Sequence, residues 1–384
     1  MFQPYRFADI EVVEDAAALR SEVREFLDEW KDKWTPWERG LGWTRYDRKF
    51  SEAMGAKGWI GMCWPKKYGG AERSMLERHV VIEELLAVGA PVGAHWVSDR
   101  QSGPLILKAG TETQRQKYLP EIIRGEACFC IGLSEPDAGS DLASVRTRAD
   151  KVDGGWLVNG RKIWTTNAHL SEYIIALLRT EGTAADRHNG LSQFVFSMRL
   201  PGITIRQIKD LTGAAHFNEV TFDDVFIDDD ALIGALGEGW AQVTAELAFE
   251  RSGPDRYMTS FPLLEELVEH VNKTGSDRMI NRQIGAEFAK MAVLRQMSVS
   301  IAGMLQEGLL PNQEAAVVKD LGTDAEQRLP EVVRSILGQD SPLDKSTSLT
   351  EINAAITQTG PTFSLRGGTR EIIRGIMAKG LGLR

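Results

Sequence analysis

The chain has 384 residues, of which 42% are apolar, and its net charge at neutral pH is −9. A chain of this length can bury a large core and is expected to form two or three structural units. Its acidity and its scattered basic residues argue against binding to nucleic acid. No apolar run reaches membrane-spanning length, so we expect no membrane association.

The cysteines and histidines indicate neither disulfides nor a metal. The three cysteines are Cys63, Cys128 and Cys130, and their spacing suits neither a disulfide framework nor a zinc site. The six histidines are isolated from one another, so we expect no metal centre. The N-terminus lacks the apolar segment of a secretory signal and is too acidic for a mitochondrial transit peptide. These features favour a cytoplasmic location.

Three regions follow one another along the chain. Residues 1–125 show the 3.6-residue hydrophobic period of helices, interrupted by Gly and Pro. Residues 126–234 contain short β-rich runs separated by turns, which is the pattern of an antiparallel sheet or barrel. Long helical periods return over residues 235–384 and predict a helix bundle. Two apolar stripes mark its long helices, one through Phe288, Met291 and Leu294 and the other through Leu329 and Val333. We therefore predict an α+β protein with a helical domain, a β-domain and a C-terminal helical domain.

Two segments of the β-rich region could bind a flat ring or a phosphate. The segment "CIGLSEPDAGSDLAS" ends an apolar run in a loop with Ser134, Ser140 and small residues, where hydroxyls and N–H groups would converge. The segment "KIWTTN" places Trp164 and Thr165 at the end of a second strand. An indole face beside a hydroxyl could support a heteroaromatic ring, although a lone Trp is more often a core or interface residue.

A third segment, "LRGGTREIIRG", lies near the C-terminus. The apolar stripe that includes Ile372 and Ile373 predicts a helix, and Thr369 is a suitable N-cap. Gly367 and Gly368 leave bare backbone before that cap, so a ligand could approach the N–H groups at the positive end of the helix. A plain loop-to-helix junction would give the same pattern.

Taken in order, several segments resemble the acyl-CoA dehydrogenase family over nearly the whole chain. They are "GWIGMCWPKKYGG", "GTETQRQKYLP", "LSEPDAGSD", "GRKIWTTNA", "NEVTFDDVFI" and "GGTREIIRGIMAKGLGL". The resemblance implies an N-terminal α-helical domain, a central antiparallel β-domain and a C-terminal four-helix bundle. It also implies an FAD cofactor, an acyl-CoA substrate and electron transfer to an electron-transfer flavoprotein.

The same resemblance implies which positions bind the ligands. Contacts to FAD are expected from Leu133, Ser134, Gly139, Ser140, Trp164, Thr165, Gly368, Thr369 and Glu371. Contacts to the acyl-CoA are expected from Ser140, Arg251 and Gly367.

The chain departs from many members of the family at the catalytic base. The residue before the "GT" pair is commonly a glutamate, but here it is Gly367, which could offer only a backbone N–H to the thioester. Some branches carry the base as part of a Glu-Arg pair on the helix after the β-domain, and this chain has Glu250 and Arg251 there. At about 100° per residue, Glu250 lies about 20° from Val243 on the apolar face. Desolvation there would raise its pKa and favour a role as base, whereas a solvated or salt-bridged helix residue is the alternative.

A second departure concerns assembly. Homotetrameric members usually carry a Gly-rich segment before their last helices, and the corresponding stretch, residues 334–346, lacks a glycine pair. We expect an oligomer, because a bundle of this kind exposes apolar stripes that need partners. Both a homotetramer and a heterotetramer with a related subunit remain open.

The first interpretation is an FAD-dependent acyl-CoA dehydrogenase of fatty acid or steroid side-chain degradation, with Glu250 as the base. The second is a non-catalytic subunit that completes the FAD site of a partner in a heteromeric dehydrogenase. The third is a flavin oxidase or monooxygenase on the same scaffold, because a fold does not fix its chemistry.

Overall fold

The computed structural model describes residues 5–10, 16–338 and 345–383, without the side chains of residues 246–250. Within these residues the helices are α1 (Ala16–Asp28), α2 (Pro36–Leu41), α3 (Arg48–Ala56), α4 (Met75–Ala87), α5 (Gly103–Ala109), α6 (Glu112–Ile123), α7 (Gly239–Ser252), α8 (Phe261–Thr274), α9 (Arg278–Gln306), α10 (Asn312–Leu337), α11 (Ser348–Phe363) and α12 (Arg370–Gly380). The strands are β1 (Phe129–Gly132), β2 (Arg148–Val152), β3 (Gly155–Lys162), β4 (Tyr173–Arg179), β5 (Leu191–Ser197), β6 (Ile203–Ile208), β7 (Phe217–Asp228) and β8 (Leu232–Ile233). The order of helices, sheet and helices confirms the predicted α+β class.

The chain divides into two compact units. The helical unit consists of Met1–Arg45, Arg73–Val92 and Leu247–Arg384, and the β-containing unit consists of Tyr46–Glu72 and Gly93–Glu246. The division into domains at residues 125 and 234 stays a prediction.

The β-containing unit is built on an 8-stranded sheet with the order β6-β7-β3-β2-β4-β5-β8. Most neighbours are antiparallel, as predicted, but β1 lies outside this path and pairs with β4 in parallel. Side chains that point to one face form the core, among them Val158, Phe194 and Val225, each with no exposed surface. This packing fixes the positions at which β1 and β3 end, and those two ends carry the segments identified from the sequence.

The helical unit contains the long helices that the apolar stripes predict. Met291 and Leu294 of α9 are buried, and so are Leu329 and Val333 of α10. Phe288, however, is 43% exposed although it belongs to the predicted stripe of α9. The hydrophobic period therefore located the helices correctly but overestimated how many of the apolar side chains are buried within this unit.

None of the helices in the described residues is both long enough and apolar enough to span a bilayer.

Candidate functional site

The ends of β1 and β3 meet in the β-containing unit. The chain leaves β1 at Gly132 and β3 at Lys162, and the N–H of Ile163 donates to the carbonyl of Ser134 over 2.9 Å. The loop with Ser134 and the segment with Trp164 are therefore neighbours, as expected if both contact one ligand.

A buried ion pair holds the Ser134 loop. Lys162 has no exposed surface, and its ammonium donates to the Leu133 carbonyl over 3.0 Å and to the Glu135 carboxylate over 2.8 Å. Burial lowers the pKa of Lys162 to about 8 although Glu135 favours its charged form. Glu135 also accepts the backbone N–H groups of Arg146 and Thr147. Burial alone would raise the pKa of Glu135, but these donors and Lys162 hold it below its ordinary value.

Trp164 presents its indole outwards. Its backbone has φ 59°, a left-handed conformation that is uncommon outside glycine, and its side chain is 55% exposed. Phe217 supports the ring edge-on, with the ring centroids 5.9 Å apart. A strained backbone that exposes a large aromatic ring favours a binding role over the core role that a lone Trp usually has.

Thr165 carries a buried hydroxyl without a partner. The residue is 1% exposed, and its backbone N–H and C=O are both satisfied by Asn218, over 3.0 and 2.9 Å. Its Oγ1 has no hydrogen-bond partner among the described residues. Because buried hydroxyls are almost always paired, this atom points to a ligand that supplies the missing partner. The polar edge of a flavin ring, which both donates and accepts hydrogen bonds, fits this requirement.

The rest of the Ser134 loop is open. Gly139 and Ser140 are exposed, and a Cβ added at Gly139 would meet no atom within 4 Å. This space and the exposed N–H groups are compatible with the expected contacts to FAD and to the CoA portion of a substrate.

The two glycines before α12 form a turn with positive φ in the helical unit. Gly367 has φ 69° and Gly368 has φ 99°, conformations that L side chains rarely adopt. The Nε of Arg251 donates to the Gly367 carbonyl over 3.0 Å. A Cβ at Gly367 would lie 3.3 Å from the guanidinium carbon of Arg256. The turn thus has a conformation suited to glycine and is bonded through its Gly367 carbonyl to Arg251.

Thr369 caps α12 as predicted, since its hydroxyl accepts the N–H of Ile372 over 3.4 Å. Glu371 in the first turn is exposed, and its own backbone N–H and the Thr369 hydroxyl lower the pKa of its carboxyl. Bare glycine N–H groups, a cap and a helix N-terminus in sequence suit an anionic or strongly polar ligand.

The structure describes the helix that carries the predicted base, Glu250, but not the position of its carboxylate. Glu250 belongs to α7, which confirms the predicted helix, but its side chain lies outside the described residues. The adjacent Arg251 is 4% exposed and reaches the turn at Gly367. Sequence reasoning offered a contact to the acyl-CoA for Arg251 and did not find its bond to the turn. It also missed Arg256, which nothing in the local pattern distinguishes.

Part of the segment predicted to govern assembly, residues 339–344, lies outside the described residues. Among the residues that the structure does describe, no three His, Cys, Asp or Glu side chains are grouped so as to hold a metal ion.

Comparison with known proteins adds two family matches and several relatives. The N-terminal domain of acyl-CoA dehydrogenases matches residues 13–126, and their middle domain matches residues 130–225. The acyl-CoA dehydrogenase IpdE1 of Mycobacterium tuberculosis is 33% identical over 342 residues, which is 86% of this chain and 86% of that protein. The acyl-CoA dehydrogenase FadE29 of the same organism is 29% identical and covers 96% of this chain and 97% of its own length.

Solved structures are similar over almost the full length. The steroid acyl-CoA dehydrogenase Tcur3481-Tcur3483 gives a TM-score of 0.87 at 27% identity and covers 97% of this chain and 99% of its own. The ChsE4-ChsE5 complex of Mycobacterium tuberculosis gives a TM-score of 0.84 at 26% identity and covers 98% of this chain and 99% of its own.

Proposed function

Because the chain belongs to the acyl-CoA dehydrogenase family of flavoprotein oxidoreductases, we propose that it converts an acyl-CoA thioester into the trans-2-enoyl-CoA with FAD as cofactor. The observation that carries this proposal is the unpaired, buried hydroxyl of Thr165 beside the exposed indole of Trp164. Together they form a platform for a flat ring whose edge needs a hydrogen-bond partner.

The residues that would hold the FAD are those that the family resemblance implies. They are Leu133, Ser134, Gly139, Ser140, Trp164, Thr165, Gly368, Thr369 and Glu371. Bound FAD supplies a two-electron acceptor for the hydrogen that leaves the β-carbon as hydride.

The chain's own residues remove the α-proton and bind the thioester carbonyl. The carboxylate of Glu250 takes the α-proton, and the electron pair of that C–H bond forms the new double bond as the β-hydride leaves. The N–H of Gly367 donates to the thioester carbonyl, which makes the α-proton more acidic. The Nε of Arg251 donates to the Gly367 carbonyl over 3.0 Å, which fixes the neighbouring peptide plane that carries the N–H of Gly368.

For the acyl group, the electron acceptor and the location, we propose a general class in each case. We propose a fatty acyl or steroid side-chain thioester, since relatives are named as acyl-CoA dehydrogenases and a structural neighbour as a steroid one. We propose that an electron-transfer flavoprotein reoxidises the enzyme in the cytoplasm. The three cysteines, Cys63, Cys128 and Cys130, form no disulfide with one another, which is compatible with a reducing compartment.

A second candidate is a role as one subunit of a heteromeric dehydrogenase. It is favoured by the missing glycine pair in residues 334–346 and by structural neighbours with two-part names, the ChsE4-ChsE5 complex and Tcur3481-Tcur3483. In this case the active complex would be a heterotetramer and not a homotetramer, and the chain could be either the catalytic or the FAD-completing subunit.

The test is anaerobic mixing of the flavin-loaded protein with a panel of straight-chain, branched and steroid side-chain acyl-CoAs. The proposal predicts bleaching of the flavin absorbance and formation of one enoyl-CoA per flavin with at least one member. If the protein purified from its native host, with any partner, binds FAD and acyl-CoA but no thioester bleaches it, dehydrogenation is excluded. A protein that remains colourless with excess FAD until a partner is added would favour the FAD-completing role.

A further inference from the structure

A cluster of buried charges lies behind the Gly367–Gly368 turn in the helical unit. Arg366, the residue before the turn, donates to the carboxylate of Glu326 on α10 over 2.6 Å. The side chain of Glu326 has no exposed surface, and that of Arg366 is 13% exposed. A buried ion pair of this kind is costly to desolvate, so it persists only where several groups satisfy it.

Further bonds join the pair to the segment that follows α7. The second carboxylate oxygen of Glu326 accepts the N–H of Thr259 over 2.8 Å. Arg366 also donates to the Thr259 hydroxyl over 3.2 Å and to the Asp255 carbonyl over 3.0 Å. Glu326 therefore connects three parts of the helical unit: α10, the segment before α8, and the turn.

The turn is also anchored on either side. On α10, the ammonium of Lys319 donates to the carbonyl of Phe363, the last residue of α11, over 3.1 Å. Beyond the turn, Arg370 donates to Asp320 of the same helix over 2.7 Å. The residues before and after the glycines are thus both bonded to α10.

The glycine conformations explain why such anchoring is needed. A free glycine pair visits many backbone conformations, and holding φ at 69° and 99° costs conformational entropy. An apolar pair could fill the same space with equal or better stability, but it would not fix the direction of hydrogen bonds. The retained charges are therefore better explained by orientation of the turn than by stability alone.

We propose that Glu326 is a positioning residue which, through Arg366, sets the orientation of the Gly367–Gly368 turn. Glu326 does not touch a reacting atom in this account; it keeps the N–H groups of the turn where a thioester carbonyl and a cofactor would accept them. The catalytic consequence rests on the proposed function, but the effect on the turn itself does not.

The first experiment measures amide hydrogen exchange of the purified full-length protein in a peptide that spans residues 364–371. In Glu326→Gln the new amide N–H₂ faces the donors of Arg366, so we expect exchange of this peptide to be about tenfold faster or more. The control is Glu331→Gln, because Glu331 lies on the same helix but is 59% exposed and pairs with the nearby Arg334. The control should exchange like the wild type.

A milder variant covers the case in which Glu326→Gln does not fold. Thr259→Val keeps the shape of the side chain and the N–H bond to Glu326, but it removes the hydroxyl that accepts from Arg366. It should also raise exchange in residues 364–371. Unchanged exchange in that peptide, or an equal rise throughout α10 and α11, would overturn the proposal, because the charges would then serve general stability.

The second experiment is kinetic. If the turn aligns the thioester, Glu326→Gln or Thr259→Val should lower kcat by about 10- to 10²-fold and leave KM nearly unchanged, since misplacement of about 1 Å can have this effect. Arg366→Lys preserves the charge but not the forked geometry, so its kcat should lie between the kcat of these variants and that of the wild type. Equal losses from Glu326→Gln and Glu331→Gln would contradict positioning. A wild type without activity would refute the proposed function and leave the exchange result valid.

Discussion

Replacing Thr165 with valine should preserve or raise the stability of the flavin-free protein but weaken its binding of FAD. Valine has nearly the shape of threonine, so the substitution removes one hydroxyl without opening a cavity. That hydroxyl is buried and has no partner among the described residues. An unsatisfied buried polar group costs about 1–3 kcal/mol, so the flavin-free variant should be at least as stable as the wild type and up to about 2 kcal/mol more stable.

FAD binding should weaken in the same variant. A neutral hydrogen bond contributes about 0.5–1.5 kcal/mol, which corresponds to a Kd for FAD about 2- to 10-fold higher. The matched control is Thr147→Val. Thr147 is 2% exposed, and its hydroxyl accepts the N–H of Arg161 over 3.2 Å and donates to the Arg161 carbonyl over 3.3 Å. The control should lose about 1 kcal/mol of stability and keep its affinity for FAD.

The assays are urea denaturation of the flavin-free proteins, read as the shift of the midpoint at constant slope, and titration of FAD followed by its fluorescence. A loss of stability in flavin-free Thr165→Val comparable with that of Thr147→Val would mean that the Thr165 hydroxyl is satisfied within the protein. Unchanged FAD affinity in Thr165→Val would place the flavin ring elsewhere.

Four further substitutions follow from the same structure and can be measured by denaturation. Gly368→Ala should lose about 1–3 kcal/mol because φ is 99°, whereas Gly375→Ala in α12, where an added Cβ meets no atom within 4 Å, should gain about 0.5–1 kcal/mol. Burial, Arg256 and Arg366 lower the pKa of Lys319 from 10.5 to about 7, so the unfolded chain binds more protons between these values and stability should rise with pH across this window. Lys319→Met should reduce that rise, with the remainder due to Lys162, whose pKa is also lowered, to about 8. A wild-type curve already flat from pH 7 to 10 would contradict this. The pKa of Glu135 is held below its ordinary value of 4.5, so its contribution is present above that pH and is lost as the pH falls through the folded-state pKa. Glu135→Gln should therefore show a weaker acid dependence of stability than the wild type, and an identical acid dependence would refute this.

The sequence predicted the elements whose hydrophobic pattern is strong. The stripe through Met291 and Leu294 located α9, and the apolar run at the start of "CIGLSEPDAGSD" located β1. The sequence pattern missed β2 and β6, because three of the five residues of β2 are exposed and none of the six residues of β6 is fully buried. These strands are specified by pairing with their neighbours, which a local period does not reveal.

The candidate site also has features that the sequence predicted and features that only the structure shows. Motif spacing identified the Ser134 loop, Trp164 and Thr165, and the structure brings Ser134 and the residue before Trp164 together through one backbone bond. Sequence reasoning could not reveal that the hydroxyl of Thr165 lacks a partner, since this depends on the placement of Asn218, more than fifty residues away. The bond from Arg251 to Gly367 spans 116 residues and was equally inaccessible to it.

The most direct test of the central claim is anaerobic stopped-flow reduction of the flavin in Glu250→Gln by a competent acyl-CoA. The control is Glu238→Gln, because Glu238 is exposed and lies just before α7. We predict that Glu250→Gln binds FAD and acyl-CoA like the wild type but reduces its flavin about 10²- to 10⁴-fold more slowly, as expected on losing a positioned base, while Glu238→Gln keeps the wild-type rate. Reduction of Glu250→Gln at the wild-type rate would show that the α-proton is removed by another group.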